Sequence, residues 1–109
     1  MKEKESIKLA MDYEISKRRK PNDVHLKKLG YDIESSGRLI EVKYRDFPKR
    51  RFVFVTTHEF ETFTKNKNAW LYIVTPNKKI IEVDRDKVLL GSKPKPHWEI
   101  SLRKEIAGC

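Results

Sequence analysis

Gly30-Tyr31-Asp32-Ile33-Glu34-Ser35-Ser36-Gly37-Arg38-Leu39-Ile40-Glu41-Val42-Lys43 is the most informative stretch of this sequence. Ser36-Gly37 suits a two-residue hairpin turn, though less strongly than Asn-Gly does. Strands are therefore expected at 31–35 and 38–45. With Ser35 opposite Arg38, the pairs step outward: Ile33 faces Ile40, Asp32 faces Glu41, and Tyr31 faces Val42. Side chains alternate across a strand, so Ile33, Ile40, Tyr31 and Val42 form one apolar face. Asp32, Glu41 and Lys43 share the other.

Directly opposed side chains have β-carbons about 4.5–5.5 Å apart, where like charges repel. A divalent cation between Asp32 and Glu41 would convert that repulsion into ligation, since hard cations take carboxylate oxygens and keep several waters. Such a cation polarises a phosphate and helps generate hydroxide. Lys43 would orient the nucleophilic water and offset charge developing in the transition state. Alternating charge is also common on solvent-facing strands. The same three residues thus fit an ordinary exposed hairpin in which Lys43 relieves the repulsion, and the pattern alone leaves both open.

Upstream, Ile7, Met11 and Ile15 recur with Ala10 beside them, predicting an amphipathic helix over 5–20. Pro21 and Asn22 stop it, and a basic linker follows. Downstream, a charged turn at 46–51 contains Pro48, and 52–55 reads as a strand. Thr56-Thr57-His58-Glu59 has capping-box spacing, so a second helix begins there, with Phe60 and Phe63 on its buried side. The segment 69–75 is apolar at both parities, as in a strand covered on both faces. After the Pro76-Asn77 turn, 79–83 is a further strand, and 97–102 an edge strand behind a linker holding Pro94 and Pro96. The order α-β-β-β-α-β-β predicts an α/β fold, a mixed sheet with helices packed on it. The chain is read as one domain over 1–109, with its core at about 5–84 and a C-terminal extension at 85–109.

Charged and hydrophobic residues each make up 38% of the chain, which suits a thin core and a heavily solvated exterior. Twenty-five Lys and Arg against sixteen Asp and Glu give a net charge of +9. That excess attracts polyanions through counterion release, and it also serves plain solubility. Lys49, Arg50 and Arg51 follow Lys43 after a short turn and are the leading candidates for a phosphate track; Arg18 and Arg19 are others. The single cysteine, Cys109, excludes an internal disulfide and a cysteine metal cage. His25, His58 and His97 share no metal-ligand spacing and are assigned to surface or capping duties. No segment reaches the roughly 18 apolar residues of a membrane span. The start lacks an apolar signal core, so a soluble cytoplasmic protein is expected. Trp98 offers either a base-stacking surface or, more commonly, a core anchor for the terminal strand.

Gly30-Tyr31-Asp32-Ile33 together with Ile40-Glu41-Val42-Lys43 resembles the PD-(D/E)XK nuclease superfamily, whose motif is an Asp in one strand and Glu-x-Lys in the next. The resemblance is closer to one branch, the domain type found at the C-terminus of the plant protein NO VEIN and appended to helicase-like and restriction-type proteins. Ala10, Tyr13-Glu14, the basic run from Arg18 to Pro21, Asp23-Val24, Thr56 to Glu59 and Trp70 to Val74 fit the same branch, so the likeness covers about residues 7–84. Phe60 stands where the branch commonly has Trp, and Tyr31 where the superfamily has Pro; neither is a proposed ligand.

The resemblance implies a restriction-endonuclease-like fold in which Asp32 and Glu41 ligate Mg²⁺ or Mn²⁺ and Lys43 is the catalytic lysine. It makes Glu14 an additional catalytic and metal-binding carboxylate from the first helix. By helical position, Glu14 borders the buried stripe, where it either points at the sheet or pairs with Arg18 one turn on. The expected function is a Mg²⁺-dependent nuclease hydrolysing nucleic-acid phosphodiesters, DNA foremost, alongside a helicase-like or restriction-type partner. The terminal strand around Trp98 is the candidate homodimer contact. The alternative is a catalytically inactive nuclease-fold module for DNA binding or assembly.

Overall fold

Helix α1 spans Glu3–Ser16, and the chain then turns back as strand β1, Pro21–Asp23. The structure, a computed structural model, describes residues 3–95 and 97–102. The helix stops short of the expected residue 20 because a Schellman motif closes it. The Arg19 amide donates to the Glu14 carbonyl at 3.0 Å and the Arg18 amide to that of Ile15 at 2.9 Å, with Arg18 in the left-handed region at φ 63°. The expected basic linker is thus partly a strand. β1 pairs antiparallel with β2, Ile33–Ser35. Pro21 is tolerated there because it opens an edge strand.

β2 and β3 (Arg38–Tyr44) form the expected hairpin. Ser36 and Gly37 both take positive φ, 47° and 91°, and the register pairs Ile33 with Ile40 and Ser35 with Arg38. β2 is shorter than the predicted strand, however, and begins at Ile33 rather than Tyr31. Asp32 interrupts the ladder: its amide donates to the Ile40 carbonyl at 2.8 Å, and its Oδ2 accepts the Val42 amide at 2.9 Å. The regular pairs Asp32–Glu41 and Tyr31–Val42 therefore do not form. A side-chain oxygen has taken over the work of a backbone carbonyl.

From β3 the chain crosses through β4 (Phe52–Val55) and α2 (Thr57–Lys65) to β5, Ala69–Val74, which pairs parallel to β3. A parallel pair needs such a crossover, and α2 covers the sheet on that side. β6 (Ile80–Asp84) completes a five-stranded sheet of order β1-β2-β3-β5-β6. Asp84 caps the short helix α3, Arg85–Leu90, by accepting the Lys87 amide at 2.9 Å.

β7 (Ser92–Pro94) and β8 (Trp98–Ser101) follow and join β4 in a separate three-stranded sheet of order β4-β8-β7. The terminal strand is thus the centre of a second sheet, not the edge of the first, and part of the predicted linker is strand β7. A six-residue helix and a three-residue strand are too short to leave a periodic pattern. Pro96 and Cys109 lie outside the described residues.

Two cores sandwich the main sheet. Ile7 and Ala10 of α1 pack with Ile33, Ile40, Val42, Tyr72 and Val74. On the other side Val53, Val55, Phe60, Phe63, Leu71, Ile73, Val83, Val88 and Ile100 pack together. β5 divides its side chains between the two, which is why it is apolar at both parities. Trp98 stacks on Phe60 with centroids 3.9 Å apart, so its ring anchors the second sheet internally. The molecule is a mixed α/β fold with helices against a five-stranded mixed sheet, consistent with a restriction-endonuclease-like fold. Among the described residues no helix is long and apolar enough to cross a membrane.

Candidate functional site

Gly30 sets the entry to the site. Its φ is +92°, and a β-carbon there would lie 2.7 Å from Thr62 Oγ1 and 3.0 Å from the His58 carbonyl. Only glycine tolerates both the conformation and the approach. The Gly30 carbonyl accepts the Thr62 hydroxyl at 2.9 Å, which ties the segment ahead of Asp32 to α2. His58 Nε2 contacts the Lys28 carbonyl at 3.0 Å on the same seam.

Ile40 and Val42 face α1, so alternation turns Glu41 and Lys43 toward the α2 side, while Asp32, just outside the ladder, reaches the Val42 amide. Asp32 and Glu41 are buried, at 8% and 4% exposure. Burial raises the Asp32 carboxyl above its usual range against the pull of the Val42 amide and the Lys43 charge. Burial, then the charge of Asp32, pushes Glu41 well above the ordinary carboxylate range. The predicted repulsion between these acids is present even though the regular ladder pair is not.

Lys43 Nζ lies 3.2 Å from Glu41 Oε2 and 3.2 Å from Oε1 of Glu59. Burial disfavours its charge, but the two carboxylates outweigh that and raise its pKa. Glu59 reaches the site because of the α2 cap. The Thr56 hydroxyl accepts the Glu59 amide at 3.1 Å, and Glu59 Oε1 accepts the Thr56 amide at 2.9 Å. Burial again works against the charged form, yet Lys43 and the Thr56 amide hold Glu59 below its usual range. The capping box was legible in the sequence; its use as a brace for Lys43 was not. Glu3, at the start of α1, was also missed. With Ser6, Val42, Lys43 and Tyr44 it lines a depression of about 300 Å³, and its charge acts on Asp32. No local signal could have placed a first-turn helix residue there.

Glu14 lies elsewhere. It is fully buried on the α1 side of the sheet, where Arg19 holds it through Nε at 2.6 Å and Nη2 at 2.9 Å, and the Tyr72 hydroxyl donates at 2.7 Å. Burial would raise its pKa, but Arg19 and Tyr72 bring it below the usual value. Tyr72 belongs to the α1 core, so the sheet separates Glu14 from Asp32 and Glu41. The expected grouping of Glu14 with those acids is corrected, as is its alternative pairing with Arg18. The network continues from Arg38 to the Tyr72 hydroxyl at 2.8 Å and to Glu82 at 2.7 Å, with Tyr13 also donating to Glu82. Arg19 is therefore engaged inside the fold, not offered to a phosphate, whereas Arg18 is exposed.

Lys49, Arg50 and Arg51 are exposed, and Arg51 Nε donates to the Pro48 carbonyl at 3.2 Å. Glu34 stays on the Asp32 side of β2, half-buried, with Oε2 unpartnered among the described residues. A larger groove of about 550 Å³, lined by Ile7, Met11, Ile15, Asp23 and His25 among others, includes none of the cluster.

Among the described residues no group of three or more His, Cys, Asp or Glu side chains is arranged to enclose a metal. The donors present are two buried hard carboxylates beside an ammonium. They fit a Mg²⁺-like ion, which accepts one or two carboxylates and completes its shell with water and phosphate, rather than a closed zinc cage.

A family model described as Protein NO VEIN, C-terminal, matches residues 2–84. No curated protein and no solved structure matches the chain. The matched span runs from α1 through β6 and contains Asp32, Glu41 and Lys43, and the chain belongs to the NO VEIN C-terminal domain family.

Proposed function

We propose that the protein is a divalent-metal-dependent nuclease domain of the PD-(D/E)XK type that hydrolyses nucleic-acid phosphodiesters, with DNA as its substrate. One observation carries this: two acids, Asp32 and Glu41, are buried at the hairpin, and the Lys43 ammonium stands 3.2 Å from the second, whose proton affinity burial and the Asp32 charge raise. Such a pair is unfavourable unless something positive completes it. Asp32 and Glu41 would hold Mg²⁺ or Mn²⁺, which when bound supplies a Lewis acid for the phosphate and the attacking water.

The chain's own residues do the rest. The Val42 amide fixes one Asp32 oxygen, so the other is aimed by the backbone. Lys43, kept protonated by Glu41 and Glu59, orients the water and offsets the charge that grows on the phosphate. Exposed Lys49, Arg50 and Arg51, which follow β3, attract the backbone of the nucleic acid. The test is cleavage of plasmid DNA in Mg²⁺ or Mn²⁺. Asp32→Ala, Glu41→Ala and Lys43→Ala should each abolish it, and undiminished cleavage by all three would remove the assignment.

A second reading has its own support: Lys43 already bridges Glu41 and Glu59, so part of the cluster's negative charge is offset without a cation. On that reading the domain is an inactive nuclease fold serving DNA binding or assembly with a helicase-like or restriction-type partner. Titration calorimetry with Mn²⁺ separates the two. Heat lost in Glu41→Gln supports the enzyme; no heat alongside salt-sensitive DNA binding supports the module.

A further inference from the structure

The second sheet carries a feature that the carboxylate cluster does not use. On β4, Val53 and Val55 turn into the core while Phe52 and Phe54 remain 39% and 45% exposed. Their rings meet edge to face with centroids 5.5 Å apart. The Arg45 guanidinium lies 5.2 Å from the Phe52 ring, and its Nε donates to the Phe52 carbonyl at 2.7 Å. Arg51 immediately precedes Phe52, and Lys49 and Arg50 are exposed just before it.

Across the strands, Ser101 stands opposite Phe52, Glu99 opposite Phe54, and Lys93 opposite Glu99. Among the described residues the surroundings are therefore polar and mostly cationic, without the wider apolar surface that a protein partner would bury. Adjacent aromatic rings with the Arg45 guanidinium against one of them and a basic turn just before match a polyanion that also carries flat π surfaces. Bases stack on aromatic side chains whatever their sequence, and they can do so only when unpaired.

We propose that Phe52 and Phe54 form a stacking platform for unpaired nucleotides, with Arg45 and the exposed basic turn before β4 holding the flanking phosphates. This rests on nucleic acid being the substrate of the Asp32–Glu41 site, and it narrows that substrate to one with a single-stranded segment. Platform and site are built on one crossover. Arg45 ties the end of β3 to β4, and the cap that ends β4 sends Glu59 to Lys43.

The test is fluorescence anisotropy in EDTA, where no metal-dependent cleavage occurs, using a short labelled oligo-dT and a duplex of the same length. The wild-type chain should prefer oligo-dT. Phe52→Ala and Phe54→Ala should each weaken oligo-dT binding about fivefold or more and change duplex binding less than about twofold, while Phe54→Tyr, which keeps the ring, should bind like wild type. Circular dichroism establishes that the variants are folded.

Unchanged oligo-dT affinity in both alanine variants overturns the platform, as does a wild-type preference for duplex. A shift from dimer to monomer in sedimentation, with oligo-dT affinity intact, also overturns it by assigning the face to a second copy. Cleavage of a duplex carrying an oligo-dT tail is measured in parallel in Mn²⁺. Selective oligo-dT binding without cleavage removes the nuclease and leaves the platform; cleavage with indifferent alanine variants removes the platform alone.

Discussion

Glu59 braces Lys43. Its Oε1 lies 3.2 Å from the lysine Nζ while accepting the Thr56 amide at 2.9 Å, so one oxygen both caps α2 and fixes the ammonium. Glu59→Gln keeps a side chain able to close the capping box. Glu59→Ala does not, and should cost about 1 kcal/mol in urea unfolding. Both variants remove one of the two acids that raise the Lys43 pKa. The alkaline limit of metal-dependent cleavage should therefore move to lower pH in each, as read from the pH–rate profile.

Glu41 makes the metal-free protein lose stability as pH rises above the ordinary carboxylate range. Its folded pKa is raised by burial and by Asp32, so the folded state binds the proton more tightly than the unfolded chain does. Stability from this group is full below the ordinary carboxylate range and is lost as pH rises through the raised folded value. In EDTA, Glu41→Gln should become progressively more stable than wild type as pH climbs from that range toward neutrality. Added Mg²⁺ or Mn²⁺ should raise the wild-type midpoint and leave the variant unmoved. Parallel urea-midpoint curves for the two proteins would refute this.

Glu14 is expected to matter for folding and not for the metal. Glu14→Ala leaves Arg19 without its buried acceptor and should destabilise by about 3–5 kcal/mol. Its lowered pKa gives the opposite pH sign: this stability is present above the ordinary carboxylate range and is lost as pH falls through the folded value. Glu14→Gln, which keeps an acceptor for Arg19 and Tyr72, should bind Mn²⁺ with wild-type affinity in calorimetry.

Gly30→Ala tests the seam between the hairpin and α2. A β-carbon would sit 2.7 Å from Thr62 Oγ1 on a residue with φ +92°. The expected cost is about 1–3 kcal/mol, measured as a lowered urea midpoint. Cleavage should fall as well, because the displaced segment carries Asp32.

Much of the architecture was legible because it is local. Ser36-Gly37 declares a tight turn through its own backbone preferences, Thr56 and Glu59 declare a helix start three residues apart, and 69–75 declares a doubly covered strand by being apolar at both parities. From these the hairpin register between Ile33–Ser35 and Arg38–Ile40, α2 and β5 followed. The C-terminal part was less legible, since α3 and β7 are too short for periodicity and owe their existence to packing against other elements.

What sequence alone determined is therefore the hairpin, its charged face, and the caps and turns around it, all set by interactions within a few residues. Tertiary structure decided that Glu14 faces Arg19 and Tyr72, that Glu59 reaches Lys43, and that β4 leaves the main sheet to pair with β8 and expose Phe52 and Phe54. These outcomes depend on which face of the sheet each helix covers and where the crossover returns. Contacts between residues distant along the chain fix those choices, and no nearby residue encodes them.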